Sequence, residues 1–307
     1  MNRFCYILLL SGLFTIAGCQ KNVPIEELSS EAVTVSFFLD MPLATKASSE
    51  EVNADIVYWA GFDSDGAPIE DLQGQLAISS LSTSFDVTLV KNHSYKFIFW
   101  AQNSSCDAYI LDKFATEGKV SVDYTGLAND ALRDAFFGQD NNVIINQQNK
   151  PITVELKRPL AQINYLAKDY TYIEEISAHT SLKSALRVSG IPSVLNCFDG
   201  SVEGSADVYF SAAEVCSDPA YIQMDGVTYG WYAMNYLLAA EYTELNNVEV
   251  IFTHDLSDKP VSIVTHNVPF RRNFKTNIIG SFMTEGTPIN VVIMNGFDEP
   301  DLEPQNN

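Results

Sequence analysis

The sequence has 307 residues, of which 46% are hydrophobic and 19% are charged, and its formal net charge is −21. This composition is typical of a globular protein rather than a disordered one, and the length suffices for two domains of about 130–150 residues. Its strong negative charge argues against nucleic acid and anionic lipid headgroups as binding partners, because both would be repelled.

The N-terminus has the layout of a secretory signal. A short polar start containing Arg3 precedes an apolar run from Tyr6 to Ile16, which is too short to span a bilayer as a helix. Two small residues then precede Cys19, as they do at a lipoprotein cleavage site. We therefore predict that residues 1–18 are removed and that Cys19 becomes the lipidated N-terminus. The alternative is an ordinary signal peptide in which Cys19 is incidental.

A strand pattern begins after a polar stretch. Residues 19–32 show no apolar periodicity, and we expect them to form a flexible tether. Residues 33–40 then alternate, with Phe38 as an extra aromatic residue on the outer face. The side chains predicted to face the core are Val33, Val35, Phe37 and Leu39. The next segment, 41–53, contains a proline, small residues and acids, and its only basic residue is Lys46, so it is predicted to be an exposed loop.

Short apolar or alternating runs, separated by turn residues, predict further strands. They lie at residues 55–62, 85–89, 95–101, 152–156, 162–166, 184–188, 207–211, 229–236, 248–254, 261–268, 273–283 and 289–294. Among them, Tyr95–Ala101 is apolar on both faces, whereas helical periodicity appears only briefly, in Leu127–Phe137. Regularly spaced short strands with few helices favour an all-β fold built from β-sandwiches.

A domain boundary is predicted near Arg158. Lys157, Arg158 and Pro159 separate two predicted strands, and a proline cannot donate a hydrogen bond to a sheet. One sheet is therefore expected to end here and another to begin. The predicted organisation is an N-terminal sandwich at 33–158, a C-terminal sandwich at 159–297 and an acidic tail at 298–307.

No constellation of residues typical of an enzyme is evident. The four histidines are scattered, and neither a G-x-S-x-G motif nor a phosphate-binding glycine loop occurs. Carboxylates are abundant, so counting alone does not exclude a glycosidase pair, but the same acids also solvate an acidic surface. We predict no catalytic residues, no metal site and no cofactor.

Three other features of the sequence each have two possible interpretations. Asp63–Gly66 resembles the start of a calcium loop but lacks later ligands, which favours a hairpin turn. The chain has three tryptophans, Trp59, Trp100 and Trp231, whose rings are candidates for stacking against a sugar. Each lies in a strand-like run, which favours a role in the core instead. Of the cysteines left after processing, Cys197 and Cys216 are a candidate disulfide, and buried free thiols are the favoured state.

One segment resembles a known family. Residues 273–284, NFKTNIIGSFMT, are similar to the pattern N-x-K/R-T-x-I-x-G-x-F/L-M/L-T of fimbrillin-like lipoproteins of Bacteroidetes, which include the type V pilins. Weaker similarities lie at 134–138, 158–163 and 232–240. The alternation in 273–278 also predicts a polar face containing Asn273, Lys275 and Asn277 opposite a mostly buried one. This motif is typical of architecture rather than catalysis.

The resemblance implies both a fold and a route of assembly. It implies two tandem transthyretin-like β-sandwich domains with short helical insertions, carried to the outer membrane surface by the N-terminal lipid. It further implies that a protease cuts after the first strand, that the strand leaves, and that a strand from another pilin subunit fills the groove. Here the first strand is 33–40 and the cut is placed after Lys46, where pilins often carry arginine, so the resemblance does not identify the protease. Only one clear strand follows Gly280, whereas a shaft subunit should offer a convincing donor strand. A role as an anchor, tip or accessory subunit is therefore an alternative to a role in the shaft.

These features lead to two functional hypotheses. The first is a fimbrillin-like pilus subunit, structural or accessory, that takes part in adhesion to a host or bacterial surface ligand. The alternative is a surface glycan-binding lipoprotein of a nutrient-uptake system, which would display aromatic side chains in a row on one sandwich face.

The lipid anchor is directly testable. Replacing the modified residue in Cys19→Ala should move the protein from the membrane fraction to a soluble or unprocessed form, because no acyl chain is then attached. Fractionation followed by mass measurement checks this, with Cys106→Ala as the control that should stay in the membrane fraction. A Cys19→Ala protein that remains membrane-bound and mature in size would contradict the prediction.

Overall fold

Strands dominate the computed structural model, which describes residues 31–41, 53–80, 82–146, 151–171, 181–216, 220–224, 226–254, 257–284 and 289–297. In chain order the strands of this part of the chain are β1 (Ala32–Asp40), β2 (Ile56–Asp63), β3 (Pro68–Ala77), β4 (Ser82–Val90), β5 (Ser94–Gln102), β6 (Tyr109–Ile110), β7 (Lys119–Val122), β8 (Phe136–Ile144), β9 (Ile152–Glu155), β10 (Leu160–Ala167), β11 (Leu182–Ile191), β12 (Val194–Asn196), β13 (Val202–Glu203), β14 (Ala206–Glu214), β15 (Tyr221–Met224), β16 (Val227–Leu238), β17 (Thr243–His254), β18 (Ser257–Phe270), β19 (Phe274–Gly280) and β20 (Asn290–Gly296). Helical elements include α1 (Phe114–Glu117) and a 3-10 turn at Ala131–Arg133. The predicted all-β class is confirmed.

The strands form five sheets, which we number in Roman numerals. Sheet I has the order β4-β1-β9, sheet II β3-β2-β5-β8 and sheet III β13-β12-β7-β6. Sheet IV has the order β15-β16-β10-β19-β20, and sheet V β14-β11-β17-β18. Most neighbouring strands are antiparallel, but β1 with β9 and β10 with β19 are parallel.

Two hydrophobic cores lie between these sheets. The first joins the inward side chains of β1 to those of sheet II, including Val57 and Phe97. The second joins sheets IV and V, through residues such as Tyr165 and Phe252, and extends to the opposite face of sheet II. Sheet II is therefore covered on both faces, which explains why β5 is apolar on both sides.

The chain passes from sheet I to sheet IV at the predicted boundary. β9 ends at Glu155 in sheet I, and β10 begins at Leu160 in sheet IV. However, β12 pairs with β7, so sheet III contains strands from both sides of this boundary. The described residues from Ala32 onward form one compact unit. The division into two domains stays a prediction.

A segment from before the boundary also reaches into sheets IV and V, and we call residues 123–135 the strap. The hydroxyl of Tyr124 donates to the carbonyl of Pro192 at 2.6 Å. Asn129, which has φ of 60°, donates from Nδ2 to Ser184 Oγ at 2.8 Å and accepts from the Met234 N–H at 3.0 Å. The strap thus ties the two sides of the predicted boundary together.

The strap corrects the helical prediction for Leu127–Phe137. Asp130 caps only the short 3-10 turn, because its Oδ1 accepts from the Leu132 N–H at 3.0 Å. The backbone of Asp134 is already extended, and Phe136 begins β8. The helical spacing was misleading because the left-handed backbone of Asn129 and the bonds of the strap replace a continuous helix.

A buried ion pair links the strap to the segment that leads into β10. The Arg158 guanidinium meets the Asp134 carboxylate in two parallel contacts, Nε to Oδ1 at 2.8 Å and Nη2 to Oδ2 at 2.9 Å. Both side chains are almost fully buried, at 2% and 3% exposure. The guanidinium carbon also lies 4.6 Å from the Phe136 ring centre and 4.3 Å from that of Phe297. Two-pronged contacts of this kind combine strong attraction with a fixed geometry.

All four segments that resemble fimbrillin-like proteins meet at this junction. Asp134 and Arg158 lie in two of them. The carbonyl of Pro159 accepts from the Ala239 N–H at 3.0 Å, and that of Leu160 accepts from the Asn273 N–H at 2.7 Å. Arg272 Nε in turn donates to the carbonyl of Ala239 at 3.0 Å. These segments serve to join strands, which agrees with the architectural interpretation of the motif.

The predicted polar face of the motif is wrong at Asn277. This side chain is only 4% exposed and accepts at Oδ1 from Asn164 Nδ2, at 2.8 Å. Asn164 itself is 2% exposed and also accepts from the Trp231 indole N–H, at 3.2 Å. Amide pairing satisfies polar groups that would otherwise be costly to bury.

Breaking the buried ion pair should destabilise the whole fold. The Arg158→Met substitution leaves the Asp134 carboxylate buried without its main cation, and the free energy of unfolding should fall by about 3–5 kcal/mol. Urea unfolding followed by circular dichroism measures this difference. The control is Lys113→Met, which removes an exposed pair with Glu117 and should cost less than about 1 kcal/mol. Equal stability of the two variants would contradict the assignment.

Candidate functional site

β1 is the candidate site, because the family resemblance implies that this strand is displaced. It pairs antiparallel with β4 over its full length, from Ala32 opposite Val90 to Asp40 opposite Ser82. On its other side it pairs in parallel with β9, over Phe37–Asp40. β1 is thus the central strand of sheet I, and its removal would leave two strand edges facing an open groove. Exposed strand edges readily pair with another strand.

The four predicted inward residues of β1 are buried. Their exposed fractions are 6% for Val33, 3% for Val35, 0% for Phe37 and 1% for Leu39, whereas Phe38 on the outer face is 42% exposed. Burying each large apolar side chain contributes about 1.5–3 kcal/mol. The alternation read from the sequence therefore matches the two faces of this strand.

Phe37 is the centre of the apolar contacts of β1. Its ring centre lies 4.6 Å from that of Phe97, 5.6 Å from that of Phe85 and 5.7 Å from that of Phe99. Phe97 and Phe99 belong to sheet II, and Phe85 lies directly opposite Phe37 on β4. The sequence predicted these neighbours as strand residues but did not predict that they contact β1. Their alternation was the available signal, and it does not specify strand partners.

Polar contacts hold the rim of sheet I. Ser36 Oγ donates to Asp86 Oδ1 at 2.6 Å, and Ser82 Oγ donates to Asp40 Oδ1 at 2.7 Å. The carbonyl of Asp40 accepts from the Leu156 N–H at 2.8 Å. The two side-chain bonds are exposed, where competing water lowers their net contribution. Among the side-chain contacts, apolar burial is consequently the main term that holds β1 in place.

The other two predicted site residues lie outside the described residues. Cys19 and Lys46 are both in this category. The strand that precedes the segment containing Lys46 ends at Asp40, and β2 begins at Ile56. Lipidation at Cys19 and processing at Lys46 stay predictions.

The buried cysteines have no features of reactive thiols. Cys106 and Cys197 are buried free thiols, so Cys197 forms no disulfide with Cys216. Burial raises the pKa of the Cys197 thiol, and it likewise raises the pKa of Cys106. Both thiols are therefore protonated at neutral pH, whereas nucleophilic attack requires the thiolate.

The remaining sequence features have structural roles. Trp100 and Trp231 are buried, and Trp59 is half-buried, with its ring centre 5.1 Å from that of Phe85. Asp63–Gly66 forms the turn between β2 and β3, where Asp63 Oδ1 accepts from the N–H groups of Asp65 and Ala67 at 2.9 and 2.8 Å. The core role of Trp100 and Trp231 and the hairpin turn are thus as predicted.

The described part of the chain contains no group of three or more His, Cys, Asp or Glu side chains placed to hold a metal ion. It also contains no helix with the length and apolar character needed to cross a membrane.

Comparison with known families identifies the chain. The model of a family of unknown function, DUF6562, matches residues 31–307, which is nearly the whole chain. The chain belongs to this family. No curated protein matches the sequence.

Several solved structures resemble this DUF6562 member. A candidate cell adhesion protein from Bacteroides uniformis has a TM-score of 0.54 at 10% identity, and the match covers 86% of this chain and 99% of the other. Another, from Bacteroides ovatus, has a TM-score of 0.51 at 11% identity and covers 86% and 97%. The tip fimbrial protein Mfa3 from Porphyromonas gingivalis has a TM-score of 0.48 at 12% identity and covers 85% and 99%. The two matches with the higher scores show a shared fold.

Neighbouring phenylalanines offer a test of how β1 is held. Phe37→Ala should lower the free energy of unfolding by about 3–5 kcal/mol, because a fully buried ring is replaced by a cavity. Phe38→Ala is the matched control and should cost less than about 1 kcal/mol, since that ring is already partly in water. Urea unfolding of both variants gives the comparison. A larger loss for Phe38→Ala would contradict the orientation of β1.

Proposed function

We propose that this chain is a fimbrillin-like cell-surface lipoprotein, a structural or accessory fimbrial subunit that assembles by strand exchange and serves adhesion. The proposed role is structural rather than catalytic. The single observation that carries it is the position of β1, a central strand with four buried apolar side chains at the start of the fold. The partners we propose are other pilin subunits, each supplying a strand to the groove that β1 leaves.

The distribution of the cores supports a chain that survives the loss of β1. The inward residues of β1 all belong to the core between sheets I and II. The second core, which contains Tyr165 and Phe252, includes no buried residue of β1. Removing β1 would therefore open one core and leave the other intact, and the opened core would present an apolar groove of the length of one strand.

The position of Lys46 supports a cut that releases β1. It falls between Asp40, where β1 ends, and Ile56, where β2 begins, so cleavage there separates β1 from all later strands. Without covalent attachment, β1 is held only by sheet pairing and by burial of about four large side chains. An incoming strand with the same alternation replaces both kinds of contact.

The comparisons support a surface location and an adhesive role. The two structures with TM-scores above 0.5 are candidate cell adhesion proteins. The fold that they share with this chain supports the proposal that it also serves adhesion. We propose that the lipid on Cys19 holds the chain at the outer membrane, and that cutting after Lys46 releases it into fimbriae. An anchor or tip position is compatible with the same geometry, since each needs only one groove or one donor strand.

Controlled proteolysis tests the proposal. Protein lacking residues 1–18 should be monomeric before treatment, because its own β1 fills the groove. Brief trypsin treatment should cut after Lys46 and produce polymers, which sizing and N-terminal sequencing would detect. Lys46→Gln should abolish polymer formation, and Lys168→Gln, an exposed lysine just after β10, should leave it unchanged.

Two outcomes would overturn strand exchange. The first is clean cutting at Lys46 that leaves an unchanged monomer, whether residues 33–40 stay bound or are lost. The second is the persistence of polymers in Lys46→Gln, which would require another route of assembly.

A further inference from the structure

A cleft opens on sheet V, far along the chain from β1, where two strands separate. β11 pairs with β17 only from Leu182 to Val188, although β17 continues to Thr243 at its other end. A bulge in β11 between Val188 and Ile191 turns the chain aside, and Gly190 there has φ of 79°. The resulting cleft has a volume of about 880 Å³. Pockets that hold small molecules are commonly about 300–1,000 Å³.

The polar side chains that line the cleft include both donors and acceptors of hydrogen bonds. These polar side chains are Arg187, Ser189, Thr243, Glu244, Asn246, Asn247 and Glu249, and Val264 is an exposed apolar neighbour. Guanidinium and amide groups donate, whereas carboxylate and amide oxygens accept. Such a lining suits a ligand that carries many hydroxyl groups, because each hydroxyl both donates and accepts.

Two charged side chains of the cleft are held in place before any ligand arrives. The Arg187 guanidinium carbon lies 4.8 Å from the ring centre of Tyr209, and Arg187 Nη1 lies 3.5 Å from Glu249 Oε2. Ser262 Oγ donates to the other oxygen of Glu249, at 2.5 Å. Side chains that are already oriented lose less conformational entropy on binding.

The charges in the cleft restrict the class of ligand. Two carboxylates and one guanidinium line it, and the whole chain carries a formal charge of −21. Anionic ligands are therefore repelled. A basic peptide would be attracted by the two carboxylates of the cleft but repelled by the Arg187 guanidinium beside them. A neutral ligand with many hydroxyls avoids both conflicts.

We propose that this cleft binds a neutral oligosaccharide. Arg187 and Asn247 donate to sugar hydroxyls, Glu244 and Glu249 accept from them, and Val264 contacts an apolar face of a sugar ring. This site is separate from the groove of β1 and does not depend on strand exchange. Uncut monomer and polymer should therefore bind the oligosaccharide with equal affinity.

The test uses the full chain, solubilised in detergent and fluorescently labelled, on an array of neutral, sialylated and sulfated oligosaccharides that also carries a lysine-rich peptide. Neutral oligosaccharides should bind, and the strongest is then titrated against variants. Arg187→Ala and Asn247→Ala should each weaken binding about tenfold or more, the effect of one charge-assisted or well-placed hydrogen bond. The control is Lys183→Ala, on the same strand but outside the cleft, which should bind like the unsubstituted chain.

Each other outcome overturns the proposal. No binding to any neutral oligosaccharide would do so, and so would binding confined to the anionic sugars or to the lysine-rich peptide. Unchanged affinity in both cleft variants, with circular dichroism showing that they are folded, would place the binding elsewhere. Because no proteolysis is involved, failure of this experiment leaves the strand-exchange proposal unaffected.

Discussion

The buried ion pair between Asp134 and Arg158 is the interaction on which the arrangement of the sheets depends. Taking two charges out of water is expensive, and only a close, two-pronged contact offsets that cost. The pair therefore tolerates little displacement of either residue. Asp134 lies two residues before β8 of sheet II, and Arg158 lies two residues before β10 of sheet IV. Fixing these two residues fixes where one sheet stops and the other starts.

The same junction collects backbone hydrogen bonds from distant parts of the chain. The carbonyls of Pro159 and Leu160 accept from the N–H groups of Ala239 and Asn273, so the end of β16 and the start of β19 are placed relative to β10. The aromatic rings of Phe136 and Phe297 cover the guanidinium of Arg158 and keep water away from it. By contrast, the inward side chains of β1 are held by apolar contacts, which are non-directional. The fold thus combines a junction of fixed geometry with a first strand whose side chains make no directional contacts with the core beneath them.

The sequence predicted individual strands better than their partners. Val33, Val35, Phe37 and Leu39 alternate so regularly that the buried face of β1 could be assigned directly. β3 was missed because only Leu72 among its residues is buried, and an edge strand with one buried side chain has little apolar periodicity. Pairing between β7 and β12 was also beyond prediction, since these strands are short and lie far apart in the chain.

For the candidate site as well, the sequence predicted the strand but not its packing partners. The buried side of β1 followed from periodicity, but its contact with Phe97 and Phe99 depends on long-range packing that no local pattern encodes. Asn277 shows the opposite failure, because a polar residue was expected to face water and instead bonds to Asn164 inside the protein. A single sequence does not reveal that the partner of a buried amide is another amide 113 residues away.

The strap has a consequence for the order of folding during synthesis. Residues 123–135 leave the ribosome before sheets IV and V exist, yet Tyr124 and Asn129 bond to residues of β11, β16 and the β11–β12 connection. The polar groups of the strap therefore stay in water until more than 100 further residues have been made. Contacts between such distant residues slow folding, and transiently exposed strands aggregate readily.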